Sequence, residues 1–344
     1  MNFGILGSGS WGTALAKILT DNGQPVHWWN RSETAIEQFR IRHHNPQYLS
    51  SAKFDIRQLF LTTKAAEVIQ KSDAILIAVP SSYAIDALES LDKNIFEGKK
   101  IISAIKGILP QQNLLLNDYL KNEFGVELEN YFAVLGPCHA EEIAAEKLSY
   151  LTFTGVDETA TAEIAGYFKT DYLNTVLNKD IYGVQYAAVL KNIYAVGAGI
   201  AHGLDYGDNF LSVLIANSAD EMAGFLRKAG IINAEVGYID HSKSRLQAHN
   251  NYAASVYLGD LLVTCYSLHS RNRSFGTMIG KGYTVKAAQL EMSMVAEGYN
   301  ACKCMHSINQ KIRAEMPIAD SIYRILWEGF NAKETFNEME ADLV

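Results

Sequence analysis

Cysteine is scarce. Cys138, Cys265, Cys302 and Cys304 are the only four in 344 residues, too few for a disulfide framework, so reduced thiols are expected. Positive charge is not in excess. Thirty Lys and Arg against 38 Asp and Glu leave a net charge of −8. That excludes a broad nucleic-acid-binding surface and demands a local basic pocket for any anionic substrate. No apolar run approaches membrane-spanning length, and no basic segment leads into an apolar one at the start, so a cytoplasmic protein without a membrane span is expected. Internal repeats and low-complexity stretches are lacking. What is there is an ordinary globular composition, 48% apolar and 20% charged, in a chain long enough for two domains.

No metal site is expected. Cys302-x-Cys304 with His306 nearby falls in a helical pattern, where residues two apart point to different faces. Ordinary partly buried thiols are the simpler reading. His43-His44 reads as solvated loop.

The organising stretch is Asn2–Ala16, NFGILGSGSWGTALA. A short apolar run, Phe3–Leu6, turns on Gly7, Gly9 and Gly12 and enters a helical pattern. This is G-x-G-x-x-G between a strand and a helix. Gly7 suits the tight turn, Gly9 lets a pyrophosphate approach the backbone, and Gly12 lets helix and strand pack closely. The N–H groups and dipole at the helix N-terminus favour phosphate charge. A second strand, Gln24–Trp29, ends at Asn30-Arg31. A carboxylate here would bond a ribose 2′-hydroxyl, whereas an Arg suits a 2′-phosphate. Arg31 therefore leans towards NADP, although it equally well stacks on adenine or faces solvent.

Helix and strand then alternate. Ser32–Phe39 reads as helix, Arg40–Ser51 as polar loop, and Ala65–Ile69 as a short helix. Ala74–Val79 is a continuous apolar run, the mark of a strand buried on both faces. Ile85–Leu91 is helical, and strand Lys100–Ala104 delivers Lys106-Gly107. Helix Gln111–Glu123 and strand Tyr131–Leu135 follow, the latter ending at Gly136-Pro137-Cys138-His139-Ala140. Tyr150–Thr154 and Thr175–Asn178 close the domain. The alternation predicts an α/β, Rossmann-like, doubly wound and mostly parallel sheet over residues 1–180. Its ligands lie beyond strand C-termini.

From residue 181 to 344 the pattern is all-α. Val184–Ile200 is rich in small residues and contains Lys191-Asn192. Lys191 is either a snorkelling surface residue or a buried functional one, and the small apolar residues around it favour burial. Asn209 and Asp208 are candidate caps for helix Phe210–Lys228. Leu258–Leu261 leads into another apolar helix. Ser270-Arg271-Asn272-Arg273 is a compact basic stretch, and Val285–Ala314 and Ile318–Gly329 read as helices.

The exceptional polar groups are Lys106, Lys191, Asn192, Asp260, Arg271 and Asn272. Hydride transfer to a carbonyl needs a proton donor for the developing alkoxide, and a lysine supplies one. Asp260 either orients that amine or bonds substrate hydroxyls. Arg271 suits an anionic group, best a phosphate. The chemistry reads as a dehydrogenase for a small phosphorylated hydroxy compound.

The motifs GSGSWGTALA (7–16), IKG (105–107), GPCHAEE (136–142), VLKN (189–192), GDLLVTC (259–265), SRNRSFG (270–276) and VAEGY (295–299) resemble bacterial-type NAD(P)-dependent sn-glycerol-3-phosphate dehydrogenases over essentially the whole chain. The resemblance implies that Lys191 is the catalytic acid/base and that Lys106 binds substrate. Gly136, Cys138, Asn192, Asp260, Ser270, Arg271 and Asn272 complete the substrate contacts. It further implies that Ser10, Trp11, Arg31, Lys106, Ala140, Arg271, Val295 and Glu297 contact NADPH or NADH, beside Gly7, Gly9 and Gly12. The reaction implied interconverts dihydroxyacetone phosphate and sn-glycerol 3-phosphate for phospholipid synthesis, in a homodimer. The chain departs from the family in having Cys138 where Ser or Thr is usual, and in a longer segment before Asp260; no function is assigned to Ile231–Asn251. Two rivals are a 3-hydroxyacid or 6-phosphogluconate type dehydrogenase, which would ignore dihydroxyacetone phosphate, and a non-catalytic NAD(P) sensor, which has no need of Lys191, Asp260 and Arg271 together.

Overall fold

The computed structural model describes residues 1–231, 254–292, 294 and 296–344. Val295 and nearly all of Ile231–Asn251 lie outside the described residues. Two compact units are distinguished: Met1–Ile105 with Leu114–Ile181, and Lys106–Asn113 with Tyr182–Val344.

The first unit is built on β1 (Phe3–Leu6), β2 (Val26–Trp29), β3 (Leu59–Thr62), β4 (Ala74–Ile77), β5 (Lys100–Ser103), β6 (Tyr131–Leu135), β7 (Ser149–Thr154) and β8 (Leu173–Asn178). They form one sheet in the order β3-β2-β1-β4-β5-β6-β7-β8. Pairing is parallel except between β6 and β7. The strand order reverses between β1 and β4, and in such sheets ligands sit outside the strand C-termini at that point. Strands β1, β4 and β6 are buried at every residue, as strands covered on both faces must be. The covering helices are α1 (Ser10–Asp21), α2 (Glu33–Arg42), α3 (Ala65–Gln70), α4 (Ala84–Leu88), α5 (Leu116–Phe124), α6 (Ala140–Ala144) and α7 (Glu158–Gly166). Ser32 caps α2 through the Ala35 N–H, and Asp157 caps α7 through the Ala160 N–H, the usual remedy for orphan donors.

The second unit is helical: α8 (Ile181–Gly203), α9 (Asp208–Lys228), α10 (Asp260–Tyr266), α11 (Arg271–Gly280), α12 (Val285–Glu291), α13 (Glu297–Ile312), α14 (Pro317–Trp327) and α15 (Ala332–Met339). Helix α8 is apolar on most of its surface, and Ala187–Val196 is buried at every residue; such a helix belongs in a core.

Several expectations need correction. Strand β3, absent from the expected alternation, is an edge strand with Phe60 exposed and an apolar run, Leu59–Leu61, of only three residues. The helix expected from Gln111 begins at Leu116, because Asn113 takes a positive φ of 56° that a helix cannot accommodate. The single pattern Val285–Ala314 is interrupted between Glu291 and Glu297. Asp208 lies inside α9, whose N-cap is Gly207 without a side-chain bond, so neither Asp208 nor Asn209 caps it.

Candidate active site

In the first unit the three glycines differ in their surroundings. Gly7 has φ +122°, and a Cβ there would lie 2.7 Å from the Ala78 carbonyl. A Cβ on Gly12 would lie 2.2 Å from the Gly7 carbonyl oxygen, whereas one on Gly9 would meet nothing within 4 Å. The first and third positions therefore pack backbone on backbone, and the middle one faces open space. Helix α1 starts at Ser10 with no acidic residue in its first turn, which suits an approaching anion. Trp28 Nε1 donates to the Gly7 carbonyl at 2.9 Å. Buried Asn45 donates to the Ser8 carbonyl at 2.9 Å and to Thr13 Oγ1 at 2.8 Å. Asn45 thus braces the turn from a stretch that reads as plain polar loop, with no local signal of the role.

At the end of β2 the Asn30 carboxamide oxygen accepts the Ser32 N–H at 3.2 Å. Arg31 is exposed. Beyond β6, Gly136 has φ +128°. The Cys138 N–H donates to the Gly136 carbonyl at 2.8 Å. Its thiol donates to the Tyr150 carbonyl at 3.0 Å, so β7 holds the side chain. Ala140 opens α6 and is buried.

In the second unit the buried lysine reading holds: Lys191 is 3% exposed and Asp260 1%. The Lys191 ammonium donates to Asp260 Oδ1 and to Thr264 Oγ1 at 3.2 Å. Thr264 in turn donates to the Asp260 backbone carbonyl at 2.5 Å. Asp260 Oδ2 is buried and has no partner among the described residues. Two buried charges are tolerated when paired and hydrogen-bonded, and the pairing uses one carboxylate oxygen only. A π-helical turn, Ala254–Gly259, runs directly into α10 and delivers Asp260; such turns recur at functional sites. Thr264 went unnoticed in the sequence, although its i,i+4 spacing from Asp260 places both on one helix face.

Asn192 Nδ2 donates to the Lys106 carbonyl at 2.8 Å. Asn272 Nδ2 donates to Asn192 Oδ1 at 2.8 Å, and Asn272 Oδ1 accepts the Gly298 N–H at 2.9 Å. Lys106, Asn192, Asn272 and Gly298 thus form one connected row. Ser270 is buried and caps α11 through the Arg273 N–H. Arg271 is exposed, with one guanidinium nitrogen 3.6 Å from Met294 Sδ. Glu297 begins α13.

Burial disfavours the thiolate at Cys265, Cys302 and Cys304. All four cysteines are buried and outside any disulfide. Burial pushes Cys265 up to about 12 and Cys304 up to about 11, away from the thiolate that reactivity requires. Cys302 and Cys304 are therefore fully buried rather than partly so. Among the described residues no three His, Cys, Asp or Glu side chains gather as a metal site.

A doubly wound sheet with an open glycine turn, joined in one chain to a helical unit holding a buried lysine–carboxylate pair, defines an NAD(P)-dependent oxidoreductase. Family models for the NAD-dependent glycerol-3-phosphate dehydrogenase N-terminus and C-terminus match residues 2–161 and 180–337. The chain belongs to the NAD-dependent glycerol-3-phosphate dehydrogenase family. It is 33% identical over 333 residues to glycerol-3-phosphate dehydrogenase [NAD(P)+] of Streptococcus equi subsp. zooepidemicus, covering 96% of this chain and 93% of the relative. It is 31% identical over 336 residues to the enzyme of that name from Bacillus cereus, covering 97% and 94%. The crystal structure of glycerol-3-phosphate dehydrogenase from Coxiella burnetii superposes with a TM-score of 0.86 at 26% identity, covering 98% of each chain.

Proposed function

We propose that the protein interconverts dihydroxyacetone phosphate and sn-glycerol 3-phosphate with NADPH or NADH, supplying the glycerol backbone of phospholipids. The observation that carries the chemistry is the buried Lys191–Asp260 pair with Thr264 as second partner. The first unit binds the dinucleotide and the second carries substrate and catalysis. The glycine turn fits a pyrophosphate, since the Gly9 side is open and α1 begins there without an acid.

The bound nicotinamide supplies the hydride in one direction and accepts it in the other. Lys191 gives its proton to the C2 oxygen of dihydroxyacetone phosphate during reduction and takes it back during oxidation. Its charge also stabilises the oxyanion as it forms. Asp260 holds the amine through Oδ1 and leaves Oδ2 to accept from a substrate hydroxyl. Arg271 and Lys106 bind the phosphate, with Gly136, Cys138, Asn192, Ser270 and Asn272 completing the substrate contacts. Because the Cys138 thiol bonds Tyr150, its substrate contact is a backbone one. Ser10, Trp11, Arg31, Lys106, Ala140, Arg271, Val295 and Glu297 contact the dinucleotide beside Gly7, Gly9 and Gly12, and the exposed Arg31 mildly favours NADP. The family resemblance brings with it a cytoplasmic homodimer.

Oxidation of NADPH and NADH is followed with dihydroxyacetone phosphate, and with 3-oxo acids as controls. Turnover with the triose phosphate alone is expected. Turnover confined to the oxo acids overturns the reading. Sedimentation of the purified protein tests the dimer.

A further inference from the structure

The row Gly298–Asn272–Asn192–Lys106 has a direction. At one end stands a backbone N–H, which only donates, and at the other a backbone carbonyl, which only accepts. Each residue between must accept on one side and donate on the other. The two carboxamides do this, with Gly298 N–H to Asn272, Asn272 to Asn192, and Asn192 to the Lys106 carbonyl. The backbone ends therefore decide the orientation of both amides, and a carboxylate at either place would set two acceptors against each other. Both asparagines are buried, at 5% and 8% exposure, where a broken bond is not replaced by water.

The row also touches the site at every step. Lys106 is itself a proposed ligand contact. Asn192 follows Lys191, Asn272 follows Arg271, and Gly298 follows Glu297. Helices α8, α11 and α13 and the Lys106 segment meet in it. Gly298 lies in the first turn of α13, where an N–H has no intrahelical acceptor, and Asn272 supplies one.

We propose that Asn272 and Asn192 are positioning residues, a polar strut that sets the substrate groups Lys106, Lys191 and Arg271 and the cofactor contact Glu297 in one register. This rests on the reading of those four as ligand contacts. Each carboxamide nitrogen keeps a second hydrogen, so a strut role and a substrate contact are compatible. The strut predicts that breaking one bond disturbs substrate and dinucleotide together.

The test uses Asn272→Asp and Asn192→Asp in the full-length protein. At pH 8 the introduced carboxylate opposes its acceptor neighbour. The dissociation constant for NADPH, read by its fluorescence, and KM for dihydroxyacetone phosphate are both expected to rise about tenfold or more. A protonated carboxyl donates and accepts as an amide does, so the ratio of variant to wild type is expected to recover towards one as pH falls to 5. Using the ratio at each pH removes what Lys106, Lys191, Asp260, Arg271 and Glu297 contribute to both proteins. A rise in KM alone, with unchanged NADPH affinity and no recovery at low pH, makes the asparagines simple substrate ligands and overturns the strut. Should the variants not fold, amide exchange in the wild type decides: Gly298 is expected to be protected, and exchange at the rate of an unbonded first-turn amide overturns the proposal. Failure of the functional reading looks different. The wild type would then bind NADPH and leave dihydroxyacetone phosphate untouched, while the NADPH shifts and Gly298 protection would still report the strut.

Discussion

Gly276 lies so close to Val196 that a Cβ on it would stand 2.0 Å from the Val196 carbonyl oxygen. Helices α8 and α11 therefore meet backbone to backbone. The contact is one helical turn beyond the Asn192–Asn272 bond on both helices, since Val196 and Gly276 each follow their asparagine by four residues. A side chain here would separate the helices and pull the amides apart. Alanine gains ~1 kcal/mol of helix propensity over glycine, but overpacking against rigid backbone costs ~1–3 kcal/mol or more. At 2.0 Å the clash wins. Gly276→Ala is expected to lower Tm and to lower kcat/KM for dihydroxyacetone phosphate. An unchanged Tm with full activity would show that the crossing is slack.

In the proposed mechanism Lys191 carries the proton. Lys191→Met is expected to lose about 10²–10⁴-fold in kcat while still binding NADPH. It also leaves Asp260 buried without its cation, which costs ~3–5 kcal/mol when a buried pair is broken. The double variant Lys191→Met, Asp260→Asn removes that charge. It is expected to regain much of the lost Tm but none of the turnover. Turnover returning with Tm would mean that Lys191 acts only on stability.

Arg31 tests the dinucleotide preference. It is exposed at the end of β2, and the Asn30 carboxamide oxygen is engaged by the Ser32 N–H. Residues 30 and 31 carry no carboxylate to bond a ribose 2′-hydroxyl. Arg31→Ala is expected to weaken NADPH by up to about fivefold, an exposed charge pair contributing ~0–1 kcal/mol, and to leave NADH unchanged. Equal loss for both would assign Arg31 to the adenine.

Glu221 is a buried carboxyl outside the reaction. Its oxygens accept the Ile318 and Ala319 N–H groups at 2.7 and 3.0 Å, at the start of α14. Burial pushes its pKa up from an ordinary 4.5 to about 7, and Asp320 adds to the rise while the two N–H bonds oppose it. A raised carboxyl pKa means that the folded state holds the proton more tightly. Its contribution is full below pH 4.5 and falls as pH rises towards 7, a loss of ~2–4 kcal/mol by linkage. Glu221→Gln keeps one acceptor and does not titrate. The wild-type Tm is expected to fall relative to the variant between pH 5 and 7, as ~1.4 kcal/mol per pH unit requires. Parallel Tm profiles would place the Glu221 titration elsewhere.

Local chemistry was enough for much of this protein. The glycine turn after Phe3–Leu6 requires only a strand, a tight turn and a helix within a dozen residues, and each is written in adjacent side chains. Buried parallel strands such as Ala74–Ile77 are legible because both faces are covered, which leaves a continuous apolar run. Burial of Lys191 was legible for the same reason, in the small apolar residues beside it. Tertiary structure decided what depends on partners distant in the chain. Strand β3 is an edge strand whose apolar run, Leu59–Leu61, is only three residues long, and pairing with β2 fixes it as a strand. Asn45 holds the glycine turn from more than thirty residues away. Thr264 and Asp260 meet Lys191 across about seventy residues. The direction of the Asn192–Asn272 row is imposed by backbone groups at Lys106 and Gly298. A hydrogen bond between distant residues leaves no period or composition in either segment, so only the folded chain reveals which polar residues meet.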